Sequence, residues 1–357
     1  MLSNGGIVTK YSQCGMTYLG PAWNMIMARP TLKTIAQALN LAVTTVSRAM
    51  KDDPAIRLET RKRVQAKAKE VGYIPDRAGV RLRTGKTNVI SVVLPIERNM
   101  SNHQARLMAS LAERLKGTGY HINTSYYFDK AEALAEVRYL VETGSTDGIL
   151  INSTEPNDAR VEYLLDKAFP FVTHGQTHWC KAHPYFDYDN ETFAELAITK
   201  LAQQSRRCIL AILPPTDAFY TLAMQAGIER GAARSSLQIL NCPSVNADSP
   251  HLDIESAVVS MLTANPHIDG IFASSPISCM AAVSGLESLG LQVGMEIDVV
   301  SREAIPFLKM FRKQVLVAQE NVAKAGEFLA QALLQRIDKP ELPPMQYLDV
   351  PTLDQIK

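Results

Sequence analysis

The 357-residue chain is 46% hydrophobic and 20% charged, with a net charge of +1. It is long enough for two or three domains of ordinary soluble composition, and no run approaches the ~18 apolar residues of a membrane span. The near-neutral total hides 13 Lys/Arg against 5 Asp/Glu over residues 30–86, and 22 against 31 over residues 87–357, so an anionic partner is expected at the basic head.

Residues 1–29 contain no acidic residue, are broken by Gly5, Gly6, Gly15 and Gly20, and lack the apolar run of a signal peptide. They are expected to be a disordered leader, or a mis-assigned start with the true one at Met25 or Met27. The five cysteines (Cys14, Cys180, Cys208, Cys242, Cys279) form no C-x-x-C pair. That suits reduced thiols in the cytoplasm better than a disulfide framework.

In TLKTIAQALNLAVTTVSRAM, residues 31–50, Leu32, Ile35, Ala36 and Leu39 make one apolar helical face. Asn40 tolerates the left-handed turn that ends such a helix. A second helix from about Val43 to Met50 turns Val46, Ala49 and Met50 inward and leaves Thr44, Thr45, Ser47 and Arg48 outside. Two short helices with a tight turn, the second polar outside, read as a DNA-binding helix-turn-helix. Val43, Thr44, Thr45, Ser47 and Arg48 are the expected base readers, since hydroxyls, a forked guanidinium and an apolar methyl contact can all discriminate base edges. Thr31, Thr34 and Asn40 are expected to position the phosphate backbone, Thr31 also serving as a helix cap. A third helix is predicted over about Leu58–Val71, with Val64, Ala68 and Val71 inward. Most of its exposed basic residues read as a solvated face, with one or two reaching phosphate.

The run TLxxIA, VTTVSRA, TRxRV and GYxPxRAxxxLRTG, spread over residues 31–85, resembles the amino-terminal region of the LacI/GalR transcriptional regulators. The resemblance implies a hinge helix over 75–86 that folds on DNA, pairs with its dimer mate and inserts Leu82 between base pairs of the minor groove. It also implies that Val43 and Thr44 select sequence, while Thr45, Ser47 and Arg48 occupy more uniform positions. Gly85-Lys86-Thr87 looks like the end of a P-loop, but Val80 stands where the upstream glycine is needed and the motif precedes its strand.

From Asn88 onward, apolar runs alternate with amphipathic helices. Strands are predicted at Val89–Leu94, Tyr120–Ser125, Gly148–Ile151, Phe169–Thr173, Cys208–Ile212, Gln238–Leu240, Gly270–Ala273, Ile297–Val300 and Val315–Ala318. Alternation of this kind implies parallel sheets covered on both faces. VRYLVETGSTDGILIN echoes VVSMLTANPHIDGIFAS, with Asp-Gly pairs at Asp147 and Asp269. The echo predicts two similar lobes, as in periplasmic sugar-binding proteins, with a ligand at the carboxyl ends of the strands between them. The expected architecture is thus a small all-α helix-turn-helix head (30–74), the hinge (75–86), and an α/β, periplasmic-binding-protein-like body with parallel sheets. Lobe 1 is assigned 87–206 and 321–347, and lobe 2 is assigned 207–320 and 348–357.

Asn102, His103, Tyr126, Tyr185, Phe186 and Asp187 are candidate ligand residues, because rings stack on sugar faces while carboxylates and amides meet hydroxyls. For Tyr185 and Phe186 a core role weighs equally. The resemblance adds Asp189, with Asn190 matched beside it before the crossover helix, and Glu303 and Gln319. The second lobe departs from the family at Met224, at Ser274-Ser275-Pro276 and at Ser301-Arg302-Glu303-Ala304. His174, His178, Cys180 and His183 carry metal-ligating atoms, but zinc sites use more regular spacings, so they are expected at the cleft or its rim without metal. No G-x-S-x-G, complete phosphate loop or H-E-x-x-H occurs. The expected function is therefore a DNA-binding transcriptional regulator, a repressor, rather than an enzyme. Its partners are double-stranded operator DNA, a carbohydrate effector and a second copy of itself, with no cofactor and no membrane. The alternative is a solute-binding receptor of a transport system, which the basic head and missing signal peptide disfavour.

Overall fold

A computed structural model describes residues 29–74, 79, 81, 84–96 and 102–357. The chain divides into a helical unit ending at Gly85 and a larger unit, Lys86–Lys357. The expected leader, and most of the hinge including Leu82, lie outside the described residues.

The small unit contains α1 (Leu32–Leu39), α2 (Val43–Ala49) and α3 (Leu58–Glu70). Thr31 caps α1 through Thr34, which bonds back to the Thr31 N–H. Asn40 ends α1 at φ 52°, ψ 49°, a conformation asparagine enters at little cost. Ile35, Val46, Ala49 and Val64 are fully buried, with Ala36 and Ala68 nearly so. The small alanines let three short helices share one core.

The larger unit carries two parallel sheets, ordered β11-β5-β4-β3-β1-β2 and β10-β9-β8-β6-β7. The first comprises β1 (Val89–Pro95), β2 (His121–Tyr127), β3 (Gly148–Asn152), β4 (Phe171–His174), β5 (Tyr185–Tyr188) and β11 (Gln346–Asp349). The second comprises β6 (Cys208–Ile212), β7 (Gln238–Asn241), β8 (Gly270–Ala273), β9 (Asp298–Glu303) and β10 (Leu316–Gln319). Helices α4 (Asn102–Leu115), α5 (Lys130–Glu142), α6 (Ala159–Asp166) and α12 (Val322–Asp338) accompany the first sheet. Helices α7 (Asn190–Gln203), α8 (Phe219–Ser235), α9 (His251–Ala264), α10 (Pro276–Ser288) and α11 (Leu308–Phe311) accompany the second. Ile149, Leu150 and Ile151, like Ile209, Leu210 and Ala211, are buried one after another, as strands covered on both faces require.

The internal echo has a physical basis. Asp147 accepts backbone N–H bonds from Thr87 at 2.7 Å and Asn88 at 2.9 Å, at the entry to β1. Asp269 accepts them from Arg207 and Cys208 at 2.9 Å, at the entry to β6. The glycine that follows each opens the neighbouring strand. A Cβ at Gly148 would stand 2.9 Å from Leu333 and Ile337, and one at Gly270 would stand 2.5 Å from Ile209.

Two expectations change. The lobe boundary drawn at 206 is too late: α7 packs through Phe193, Ala194, Ala197 and Ile198 onto the second sheet, so the chain crosses directly after β5. It recrosses after β10, and again after β11, where Ile356 joins the second core. Tyr185–Tyr188 and Gln346–Asp349 are strands that pair in parallel with each other, although neither shows the apolar run from which strands were predicted.

Candidate functional site

On the small unit, Val43, Thr44 and Arg48 are exposed on α2, and Thr45 and Ser47 are half-buried beside them. Val46 and Ala49, on the opposite face, are fixed in the core. The Arg48 Nε lies 2.8 Å from the Asp53 carboxylate, which also accepts the Ala55 N–H at 2.9 Å. The pairing raises the guanidinium pKa and lowers that of Asp53, so both stay charged and solvent-accessible. Thr31, Thr34 and Asn40 are exposed around α1. The outer surface thus presents one methyl-bearing, three hydroxyl-bearing and one cationic side chain on a rigid helix.

In the larger unit, the carboxyl ends of both sheets face a cavity of about 470 Å³. The direction of progression along each sheet reverses at β1 or β6, the strand second from one edge, which opens a crevice there. From the first sheet, His103, Asn152, His174, Phe186 and Asp187 line it; from the second, Ser274, Arg302 and Glu303 do so; Asn190 and Glu320 lie at the crossings.

The His103 and His174 rings stack at 5.1 Å, 11° from parallel. Burial lowers His103 to about 4 and His174 to about 3, so both are neutral imidazoles near pH 7. His174 shares a hydrogen bond with Asn152 at 3.1 Å. Asp187 is pushed up to about 7, because desolvation outweighs the two bonds it accepts from Gln176. Arg302 reaches Glu320 at 2.8 Å and donates to Asn190 at 2.5 Å and to the Ser274 carbonyl at 3.2 Å. Its guanidinium lies between 5.8 and 5.9 Å from the ring centres of Tyr188, Phe193 and Tyr220.

Of the expected ligand residues, His103, Phe186, Asp187 and Glu303 border this cavity. Glu303 is partly committed, since its Oε2 accepts the Phe307 and Leu308 N–H groups. The others stand elsewhere. Tyr126 is exposed on β2, whereas its buried neighbour Tyr127 accepts a bond from Arg160. Tyr185 lies at the start of β5, the end away from the cavity. Asp189 caps α7, accepting from the Thr192 N–H and hydroxyl, and Asn190 borders the cavity instead. Gln319 is exposed and donates to the Glu303 carbonyl, and the cavity residue is the following Glu320. The Asn102 side chain lies outside the described residues.

Arg302, Glu320, Asn152 and Tyr220 are cavity residues that the expected ligand set omits. The signal for Asn152 and Glu320 is positional, because Asn152 stands one position and Glu320 two positions past a predicted strand end. Met224 is fully buried in the second core, so its departure from the family pattern is one of packing. His174, His178, Cys180 and His183 do not converge. His183 is buried against Thr177, His178 bonds to Asn157, and among the described residues no group of three metal-ligating side chains is assembled.

The model described as bacterial regulatory proteins, lacI family, matches residues 31–76, and that of periplasmic binding proteins and sugar binding domain of LacI family matches residues 87–346. The HTH-type transcriptional regulator AglR of Rhizobium meliloti (strain 1021) is 29% identical over 311 residues, 85% of this chain and 86% of that one. CelR of Thermobifida fusca is 23% identical over 319 residues, 87% and 92% of the two chains. The lac repressor dimer bound to operator and the anti-inducer ONPF superposes with a TM-score of 0.79 at 17% identity, over 90% of this chain and 96% of that one. A CelR–cellobiose complex gives 0.66 at 20% identity, over 90% and 97%; at these identities, both likenesses speak to fold. With its helix-turn-helix head and two-sheet body both matched, the chain belongs to the LacI family of bacterial regulatory proteins and is a transcriptional regulator.

Proposed function

We propose that this regulator is a cytoplasmic, homodimeric repressor whose affinity for a near-palindromic operator is set by a neutral or derivatised sugar held between the two sheets. The observation that carries the reading is the presence, in one chain, of a rigid α2 with an exposed polar face and a ligand-sized cavity at the carboxyl ends of two parallel sheets. Val43, Thr44, Thr45, Ser47 and Arg48 read bases, while Thr31, Thr34 and Asn40 hold the backbone. Arg48 exchanges Asp53 for a guanine edge on binding. Residues 75–86 act as the hinge, with Leu82 as a minor-groove wedge. In the body, Phe186 borders the cavity as a buried ring stacked on Tyr347, and Asp187, Asn190 and Asn152 offer partners for hydroxyls. No reaction is assigned to the cleft, and the named relatives are regulators. Among the described residues no helix is long and apolar enough to cross a membrane.

Gel-shift titration against the DNA upstream of the protein's own gene, with and without saccharides, tests the reading. Specific binding that a saccharide alters is expected. Binding no tighter than to scrambled DNA under every condition would overturn it. Leu82→Ala is expected to reduce the operator bend in a circular-permutation assay, and an unchanged bend would remove the wedge.

A further inference from the structure

The residues bordering the cleft are unbalanced in charge. Five carry carboxyl groups (Asp187, Asp248, Glu303, Glu320 and Asp349), and Arg302 is the one arginine or lysine among the described lining residues. That guanidinium is already committed. Glu320 stands 2.8 Å away as an ion-pair partner, Asn190 and the Ser274 carbonyl each accept one of its N–H donors, and three aromatic rings enclose it. Glu320 is itself buried, so water cannot screen the pair as it screens a surface bridge. Lys324, behind the cavity, is held by Asp349 at 2.8 Å. The two stacked histidines are neutral near pH 7.

We propose that Glu320 sets the charge class of the ligand: by occupying Arg302 it reserves the cleft for neutral, hydroxyl-rich molecules and excludes sugar phosphates and uronates. The inference rests on the ligand-cleft reading above. An anionic ligand entering this cleft loses its hydration and meets Glu320 and Asp187, with no uncommitted arginine or lysine among the described lining residues. A neutral polyol meets the same groups as hydrogen-bond acceptors for its hydroxyls, which are donors by nature. The arrangement therefore rewards the molecule that brings donors and penalises the one that brings charge. Glu320 is the deciding member because, among the described residues, it is the carboxylate in direct ion-pair contact with Arg302. Replacing its carboxylate by an amide of equal shape removes one negative charge and returns Arg302's positive charge to the cleft.

Isothermal titration of the full-length protein with four probes tests this: cellobiose and maltose as neutral saccharides, glucose 6-phosphate and glucuronate as anions. The wild type is expected to bind a neutral probe at least tenfold more tightly than either anion. Glu320→Gln is expected to move the anion-to-neutral affinity ratio towards the anions by at least tenfold. An anion bound by the wild type as tightly as the neutral probes, or an unmoved ratio in Glu320→Gln, overturns the proposal while leaving a ligand-binding cleft in place. Should that variant not fold, Arg302→Gln supplies the reciprocal test. It leaves Glu320 uncompensated and is expected to gain at least tenfold for protonated glucosamine, and no gain counts as refutation. Failure of the wild type to bind any probe of either charge, with specific operator binding intact, sinks the sugar reading itself and this inference with it.

Discussion

Asp187 shows how a single side chain ties the cleft to the stability of the body. It is 8% exposed, and burial lifts its pKa to about 7, against roughly 3.9 in an unfolded chain. Between those values the folded protein holds a proton that the unfolded chain releases. Stability associated with this group is therefore greatest below pH ~4 and is lost as pH rises to about 7. His103 and His174 act in the opposite sense. Their folded pKa values of about 4 and about 3 lie below the ordinary 6.5, so their contribution is complete above that value and declines on acidification. Asp187→Asn keeps an oxygen for Gln176 and deletes the titration. Its stability relative to wild type should rise from pH 4 to pH 7 and then level off, by an amount on the order of a few kcal/mol. Denaturant unfolding at pH 4.5, 6 and 8 measures this, and a pH-independent difference would show that the carboxyl titrates normally in the folded protein. On the DNA face, Arg48→Ala should lower the ratio of specific to non-specific operator affinity by roughly 10–100-fold, the ~1–3 kcal/mol of a bidentate base contact. An unchanged ratio would reduce Arg48 to a phosphate contact.

Among the elements, two kinds of junction restrict which side chain can stand there. The first is the carboxylate before β3 and before β8. Asp147→Ala leaves the N–H groups of Thr87 and Asn88 without their acceptor, and Asp269→Ala does the same to Arg207 and Cys208. Each change should destabilise the body by about 1–3 kcal/mol, read from thermal or denaturant unfolding. Equal stability in both variants would mean water replaces the carboxylate freely. The second is the crossing of α7 and α8, where a Cβ on Gly227 would lie 2.1 Å from the Glu191 carbonyl. Alanine favours a helix over glycine by up to about 1 kcal/mol, but this clash is with backbone that cannot swing aside. Overpacking at roughly 1–3 kcal/mol or more therefore wins, and Gly227→Ala should lower the melting temperature. These junctions also show what the sequence discloses. The Asp-Gly echo was readable because both halves use the same carboxylate for the same strand entry. Strand β5 was hidden because Tyr185-Phe186-Asp187-Tyr188 looks like a ligand loop, and its partner β11 is a four-residue edge with alternating exposure. The cleft residues were partly hidden for a related reason. Gln319 and Glu320 are adjacent in sequence and point to opposite sides of a strand end, and periodicity does not say which of the two meets the cavity.

At the scale of the body, the cleft is bridged on the side away from the crossings. Lys130, at the start of α5, is 2.9 Å from Glu155 on its own side and 2.9 Å from Asp217 on the other. The Phe219 N–H donates to the Thr154 carbonyl at 3.1 Å, and the Phe219 ring meets His178 edge-on. These contacts require the two sheets to be close, so any movement that opens the cleft breaks them together. Lys130 and Asp217 are both more than half exposed, and an exposed pair contributes only about 0.2–1 kcal/mol. Asp217→Ala should therefore weaken saccharide affinity by about 1.5–5-fold at low salt, and the two proteins should converge as ionic strength rises. Phe219→Ala, which removes a ring lining the cavity as well as the His178 contact, should cost more and show no such salt dependence. The bridge also tests the coupling of cleft to DNA. If ligand acts by favouring the closed body, Asp217→Ala, which disfavours it, must move ligand-free operator affinity in the direction opposite to ligand, by at most the same small factor. Tighter operator binding by the variant then marks the ligand as an inducer, and weaker binding marks it as a co-repressor. A variant that shifts operator affinity in the same direction as ligand would show that closure of the cleft is not the step the DNA-binding head senses.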